Sequence, residues 1–196
     1  MSASRLKLSI VLAGTALSGL TFLAWGQAWF LVTLSSEAAA DQVIEVSGDV
    51  AAPALAALSL AGLALVGALS IAGPIFRIVL GALETAIGLS VVLSAALALL
   101  SPVAASTPLV TKATGVSGVD SVASLVTEVS QTAWPILALV LGAGMCALGI
   151  VIIATWRRWP RASRKYQAAR FEPDTTSDAS MSDWDTLSDG TDPTSR

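Results

Sequence analysis

Glu84 is the charged residue that stands inside a long apolar run, and it is the first candidate for chemistry. The run covers residues 78–100 and holds no other charge. A carboxylate within the hydrocarbon of a bilayer costs several kcal/mol unless it is paired, hydrated or protonated, so such a residue is a functional candidate by default. A helix that begins at residue 78 would place Glu84 about 9 Å inside the membrane boundary.

Arg77 is the candidate partner of Glu84. It precedes Glu84 by two helical turns and would lie on the same helix face. A glutamate side chain leans toward the N-terminal end of its helix, so a water-bridged or snorkelling pair is feasible. Two roles stay open for Glu84: a structural one beside Arg77, and an ion- or proton-linked one.

The residue types that the chain lacks exclude most catalytic chemistry. It contains no histidine and one cysteine, Cys146. These counts exclude histidine-based triads, His/Cys zinc sites, histidine-ligated haem and disulfides within the chain. Cys146 stands in an apolar run, where packing is its expected role. We therefore expect no catalytic, cofactor-binding or metal-binding residues, and a protein that is not an enzyme.

The composition indicates a membrane protein. Of the 196 residues, 54% are hydrophobic and 13% are charged, and the mean hydropathy is +0.74. A soluble domain carries about 25% charged residues, so this chain could not cover a large core with polar surface. The formal net charge of −3 gives no indication of nucleic-acid binding.

Four runs are long enough to span a bilayer, which takes about 20 apolar residues. The predicted transmembrane helices are residues 8–25, 51–72, 78–100 and 133–155. Pro53 and Pro135 fall in opening turns, where a proline is tolerated, and the Gly73-Pro74 pair closes the second helix. The expected fold is an all-α, up-down bundle of four transmembrane helices.

The distribution of lysine and arginine predicts the orientation. Residues 1–7, the turn at 73–77 and the basic segment at 156–170 contain nine positive residues, whereas loops 26–50 and 101–132 contain only Lys112. Cytoplasmic segments carry the excess of positive residues. We therefore expect a multi-pass protein of the cell membrane with both termini in the cytoplasm and both long loops outside.

Tryptophans stand close to the predicted membrane boundaries. Trp25, Trp29 and Trp134 lie at the predicted outer boundary, and Trp156 and Trp159 at the inner one. Their amphipathic rings favour the headgroup level of a bilayer, so these five residues are predicted interfacial anchors.

The two long loops carry signs of structure. In the first, β-prone runs at 29–34 and 42–46 favour a small external hairpin. In the second, apolar residues recur at helical spacing and favour a short amphipathic helix, either packed on the bundle or acting as a lid. These residues are Val119, Val122, Leu125, Val126 and Val129.

The C-terminal tail divides into a basic and an acidic part. Residues 157–170 carry six positive charges, which favour anionic lipid headgroups and also anchor the topology. Residues 171–196 are acidic and rich in Ser, Thr and Asp, so we expect disorder there. Within that tail, Trp184 and Leu187 are three residues apart and form a candidate docking motif for a protein partner.

Several short motifs together resemble a known family. They are GQAW at 26–29, the VSG entry at 46–48 into an Ala/Leu-rich helix, AWP at 133–135, the RRWPRASRKY exit after the fourth helix, and the DWDTLSDGTDPT ending. In this order they resemble the actinobacterial tryptophan-associated transmembrane proteins, which have four membrane helices and are linked to tryptophan biosynthesis genes. The resemblance implies a membrane protein connected with tryptophan metabolism, and it implies no reaction or catalytic residue.

Two functions follow as alternatives. The favoured one is a non-enzymatic accessory or scaffold that holds a partner through its tail. The other is a small oligomeric transporter or channel for an aromatic metabolite, in which Glu84 would be the ion- or proton-linked residue. Small residues spaced four apart, Ala82 with Ala86 and Ala143 with Ala147, favour close helix packing either within the chain or between copies of it.

Overall fold

The computed structural model describes residues 3–35, 42–155 and 157. The described helices are α1 (Ala3–Trp25), α2 (Gly48–Ala51), α3 (Ala54–Ile71), α4 (Pro74–Leu100), α5 (Pro102–Thr114), α6 (Val119–Leu125) and α7 (Trp134–Thr155). The described strands are β1 (Ala28–Leu34), β2 (Gln42–Ser47) and β3 (Val126–Gln131).

Helices α1, α3, α4 and α7 are each long and apolar enough to cross a membrane. Their outer surfaces carry large apolar side chains, such as Leu89 and Leu93 of α4, which are 61% and 58% exposed. Such surfaces are stable in lipid because lipid tails are as apolar as leucine. The predicted four-helix membrane fold is confirmed.

The four spanning helices form a closed ring. Helix α4 packs most closely on α7, α1 packs on both α3 and α7, and α3 packs on α4. We call the end with the short connection between α3 and α4 the turn end. The opposite end, where the strands lie, is the sheet end.

Helix α4 begins earlier than the sequence predicted. Its first residue is Pro74, not residue 78, and Gly73 caps it in an extended conformation. Proline suits this first position because its missing N–H has no partner there in any helix. The predicted turn at 73–77 is therefore shorter, and Arg77 lies within the first turn of α4.

The predicted hairpin is present, and a third strand extends it. The sheet order is β2-β1-β3, with both pairs antiparallel. Strand β3 comes from the second loop, where the prediction of a continuous amphipathic helix is wrong beyond Leu125. Val126 and Val129 are β-branched and suit a strand, and pairing with β1 satisfies backbone groups that a two-stranded hairpin would leave open along that edge of β1.

Helix α5 was not predicted. It begins at Pro102, buries Val110 and ends at Thr114. Gly115 caps it with a φ of 75°, the left-handed conformation that glycine adopts without strain. The sequence of this segment is rich in serine and threonine and contains Pro108, so it did not predict a helix. In the structure Ser106 and Thr107 donate hydrogen bonds to carbonyls of their own helix.

The buried apolar side chains form two clusters. The cluster at the sheet end joins sheet residues such as Trp29 and Phe30 to Leu55 of α3 and Ala98 of α4. The cluster at the turn end comprises Ile10, Leu69, Leu148 and Ile152. The sheet and the small helices thus pack on one end of the bundle, and the middle of the bundle belongs to neither cluster.

Candidate functional site

Glu84 lies on the buried face of α4. The buried residues of this helix follow one another at intervals of four and three: Arg77, Gly81, Glu84, Gly88, Val91, Ala95 and Ala98. This spacing places them on one side of an α-helix. Glu84 is 0% exposed and is flanked by two glycines on that face.

Glycines bring α4 and α7 into close contact on both sides of Glu84. A Cβ atom added to Gly88 would lie 2.5 Å from the backbone N of Cys146 and 2.8 Å from the carbonyl O of Gly142. A Cβ atom added to Gly149 would lie 2.6 Å from both the carbonyl O of Gly81 and the backbone N of Thr85. We call these four glycines, Gly81, Gly88, Gly142 and Gly149, the glycine seam.

The single cysteine of the chain lies in this seam. Its Sγ atom donates a hydrogen bond to the carbonyl O of Thr85 at 3.5 Å. Thr85 directly follows Glu84, so Cys146 and Glu84 lie at neighbouring levels of the bundle. The packing role expected for Cys146 agrees with this placement.

Glu84 lies well inside the bundle, in the half of α4 nearer the turn end. It stands ten residues after Pro74, which is about 15 Å along the helix axis. The neighbouring Gly81 and Gly88 pack against Gly149 and Cys146, both in the central part of α7. The predicted depth of about 9 Å was counted from a membrane boundary at residue 78, and it stays a prediction.

Neither carboxyl oxygen of Glu84 accepts a hydrogen bond from the described residues. Arg77 is also buried, at 6% exposed, and its Nε atom donates to the carbonyl O of Ala72 at 3.1 Å. Two helical turns separate the two residues along α4, roughly 10 Å, so a pair would need bridging water. The structural pairing and the ion- or proton-linked role both remain predictions.

Three hydroxyl side chains are buried in helices α1 and α3. Ser18 is buried, and its Oγ atom has no partner among the described residues. Thr21 and Ser59 are buried too, but they donate to the carbonyls of Leu17 and Ala56 in their own helices. We call Ser18, Thr21, Ser59 and Glu84, four buried polar side chains of the spanning helices, the polar layer.

The polar layer offers limited chemistry. It contains one carboxyl group and hydroxyls, without a base that could activate a nucleophile. In residues 3–35, 42–155 and 157, no three His, Cys, Asp or Glu side chains come together as metal ligands would. A buried carboxyl without a partner is suited to binding a proton or a small cation.

The tryptophan at position 29 differs from its prediction. Trp29 is 0% exposed, and its Nε1 atom donates to the carbonyl O of Ala24 at 2.8 Å. An interfacial anchor must reach the headgroups, so the prediction for Trp29 is wrong; β1 turns its ring into the cluster at the sheet end. Trp25 and Trp134 are half-buried beside that cluster, and the ring of Trp25 stacks on Phe22 at 5.5 Å.

The remaining predicted site residues lie outside the described part of the chain. They are the anchors Trp156 and Trp159, the basic segment 157–170 apart from Arg157, and the docking motif of Trp184 and Leu187. Their roles stay predictions.

Two pockets at the sheet end were not predicted. One, of about 400 Å³, is lined mainly by alanines where α2, α3, α4 and α5 meet, with Ser94 and Ser101 among them. The other, of about 420 Å³, lies between β2 and α5 and includes Lys112. Each is built from segments far apart in the chain, so no local motif indicates it.

The alanine pairs face outward. Ala82 and Ala86 of α4 are exposed, as are Ala143 and Ala147 of α7. Packing within the bundle uses the glycine seam instead, and these alanines are left to contact lipid or another protein. A homo-oligomer therefore stays a prediction.

Comparison with known proteins gives one finding. The model of a family described as tryptophan-associated transmembrane protein matches residues 11–194, nearly the whole chain. No curated protein and no solved structure matches the chain.

Proposed function

The chain belongs to the tryptophan-associated transmembrane protein family, and from that premise we propose that it is a non-enzymatic accessory protein of the cell membrane. In this role it holds a protein partner of tryptophan metabolism at the inner membrane face. The four helices anchor and space the assembly, and the C-terminal tail binds the partner.

The continuity of the spanning helices is the observation that supports this proposal. Pro53, Pro74 and Pro135 all stand at helix starts. Transporters usually bind their substrates where helices are interrupted near the bilayer midplane. Here the spanning helices are continuous and the glycine seam holds α4 and α7 in close contact, which suits an anchor better than a passage.

The charges at the turn end support an orientation with both termini in the cytoplasm. Lys7 donates from Nζ to the carbonyl O of Ser70 at 2.6 Å, so the start of α1 lies beside the end of α3. Arg5 and Arg77 belong to the same end of the bundle. Acidic residues predominate at the sheet end; they are Glu45, Asp49, Asp120 and Glu128. The positive-inside rule then directs the turn end to the cytoplasm.

In this orientation the tail reaches the cytosol directly from α7. Its basic segment at 157–170 would contact anionic headgroups, at about 1 kcal/mol per positive residue. The acidic part at 171–196 would extend beyond the lipid because like charges repel it from that surface. Trp184 and Leu187 would then form the apolar contact with the partner.

The tail can be tested by substitution in the full chain. We expect Trp184→Ala with Leu187→Ala to abolish co-purification of tryptophan-biosynthetic enzymes from native membranes, with unchanged amounts of the membrane protein. Ser180→Ala with Thr186→Ala, in the same tail, is the matched control and should retain them. Equal recovery of these enzymes with both double variants would refute the proposed docking motif.

A second candidate function rests on the buried carboxyl. A carboxyl buried inside a spanning helix, as Glu84 is, is the kind of residue that proton-linked carriers use, which favours a small oligomeric transporter for an aromatic metabolite. Tryptophan uptake and efflux in cells with and without the protein separate the two functions. A carrier keeps its flux when residues 171–196 are deleted and loses it with Glu84→Gln. An accessory protein loses its partner when residues 171–196 are deleted and keeps it with Glu84→Gln.

A further inference from the structure

The polar layer contains a buried group that the accessory role does not use. Glu84 is fully covered by protein, and neither of its oxygens has a hydrogen-bond partner among the described residues. Unsatisfied buried polar atoms are uncommon in folded proteins, and each calls for a specific explanation. A carboxylate in this position would be an uncompensated charge in the hydrocarbon interior.

No neighbouring helix provides a counter-charge at this level. Helix α3 contains no titratable residue, and α7 contributes only the thiol of Cys146. Helix α1 contributes Arg5 and Lys7, both at its turn end. On α4 itself, Arg77 lies two turns from Glu84, and its Nε atom donates to the carbonyl O of Ala72.

A metal cation fits the layer poorly. Bound cations take several oxygen ligands, and the one buried hydroxyl without a partner among the described residues is that of Ser18. The spanning helices are continuous here, so their carbonyls are already used within the helices. A proton needs no such ligand set.

We propose that Glu84 is an intramembrane proton-binding site whose occupancy is linked to the closure of the glycine seam. With the seam closed, the group is a carboxylic acid. When it releases its proton to water, the carboxylate must be hydrated, and the seam must open to admit that water. This inference is independent of the partner proposed for the tail.

The close packing of α4 and α7 is what couples the proton to the helices. A Cβ atom added to Gly88 or to Gly149 would lie within 2.8 Å of backbone atoms of the facing helix. Glu84 stands between these contacts and is 0% exposed, so water reaches its carboxyl group only if the packing around it opens. Ionisation and separation of the helices must then occur together.

Infrared spectroscopy of the full chain in liposomes tests the site without any partner. We expect a carboxylic-acid C=O band that shifts in deuterated buffer and converts to carboxylate as the pH is raised. Glu84→Gln should lose this band while inserting normally, and Glu128→Gln, on the exposed strand β3, should keep it. Absence of the band, or a band that responds to neither pH nor deuteration, would overturn the proposal.

A sodium series at fixed pH separates the proton from a metal cation. The proposal predicts that the position and intensity of the band are the same in a sodium buffer and in a buffer with a large organic cation. Loss of the band specifically in sodium would show a cation site and overturn the assignment to a proton.

Cys146 reports the opening of the seam, because it is the only thiol in the chain. Alkylation of any thiol by a membrane-permeant maleimide speeds up with pH, so Glu84→Gln provides the baseline. We expect the wild-type rate to rise further than this baseline over the pH range in which the infrared band converts. Parallel rates in the two proteins would refute the link between the proton and the seam.

Discussion

Replacing Gly88 by alanine is the most direct test of the glycine seam. The added Cβ would lie 2.5 Å from the N of Cys146 and 2.8 Å from the O of Gly142. Both are backbone atoms, so no side-chain rotation relieves the overlap. Ordinary contacts between heavy atoms begin near 3.5 Å, so α4 and α7 must separate locally by roughly 1 Å.

The expected cost follows from two opposing effects. Overpacking of a close-packed interior costs about 1–3 kcal/mol. Alanine is better than glycine in a helix by up to about 1 kcal/mol, which offsets part of that cost. We therefore expect Gly88→Ala to lower the free energy of unfolding by up to about 2 kcal/mol relative to the wild type, and by about 1–3 kcal/mol relative to a glycine-to-alanine change without overlap.

Reversible unfolding in mixed micelles, followed by helical circular dichroism during titration with dodecyl sulfate, measures this difference. Gly67→Ala in α3 is the matched control, because no atom lies within 4 Å of its added Cβ. The control should unfold at the same or a higher dodecyl sulfate fraction than the wild type. If both variants unfold together, the seam is not closely packed and the link to Glu84 fails with it.

The remaining predictions use the same titration or a labelling assay. Trp29→Phe removes the donor to a buried carbonyl of α1 and should lower the free energy of unfolding by about 1–3 kcal/mol; unchanged stability would contradict that hydrogen bond. Ser18→Ala removes a buried hydroxyl without a described partner and should raise stability by about 1 kcal/mol; a loss would show that the hydroxyl has a partner. In a Cys146→Ser background on intact cells, Lys112→Cys should react with an impermeant maleimide and Arg196→Cys only after permeabilisation, and the opposite result would reverse the proposed orientation.

The sequence predicted the spanning helices because the signal is local. Each is a long apolar run, and hydrophobicity over about 20 residues suffices to identify it. The hairpin was predictable for a similar reason, since β1 and β2 are close in the chain and rich in β-branched and aromatic residues. Helix starts were less accurate, as Pro74 shows: a proline closes one helix and opens the next equally well.

The third strand and the site depend on contacts between distant segments. Val126 and Val129 continue a helical spacing, and only pairing with β1 shows that they belong to a strand. Glu84 was identified from its charge, but its depth, its lack of a described partner and the seam around it depend on α7. The burial of Trp29 depends likewise on the close approach of Gly48, where an added Cβ would lie 2.6 Å from the indole nitrogen.

The sheet also constrains how the protein is made. Strand β1 pairs with β3, which comes much later in the chain, with Phe30 opposite Gln131. During synthesis the first helix and β1 leave the ribosome long before β3 does. In the orientation proposed above, β1 must wait on the far side of the membrane with one edge open until the second loop is translocated. A chain arrested before that point would expose this edge to other nascent proteins, so completion of the sheet requires that the second loop has crossed the membrane.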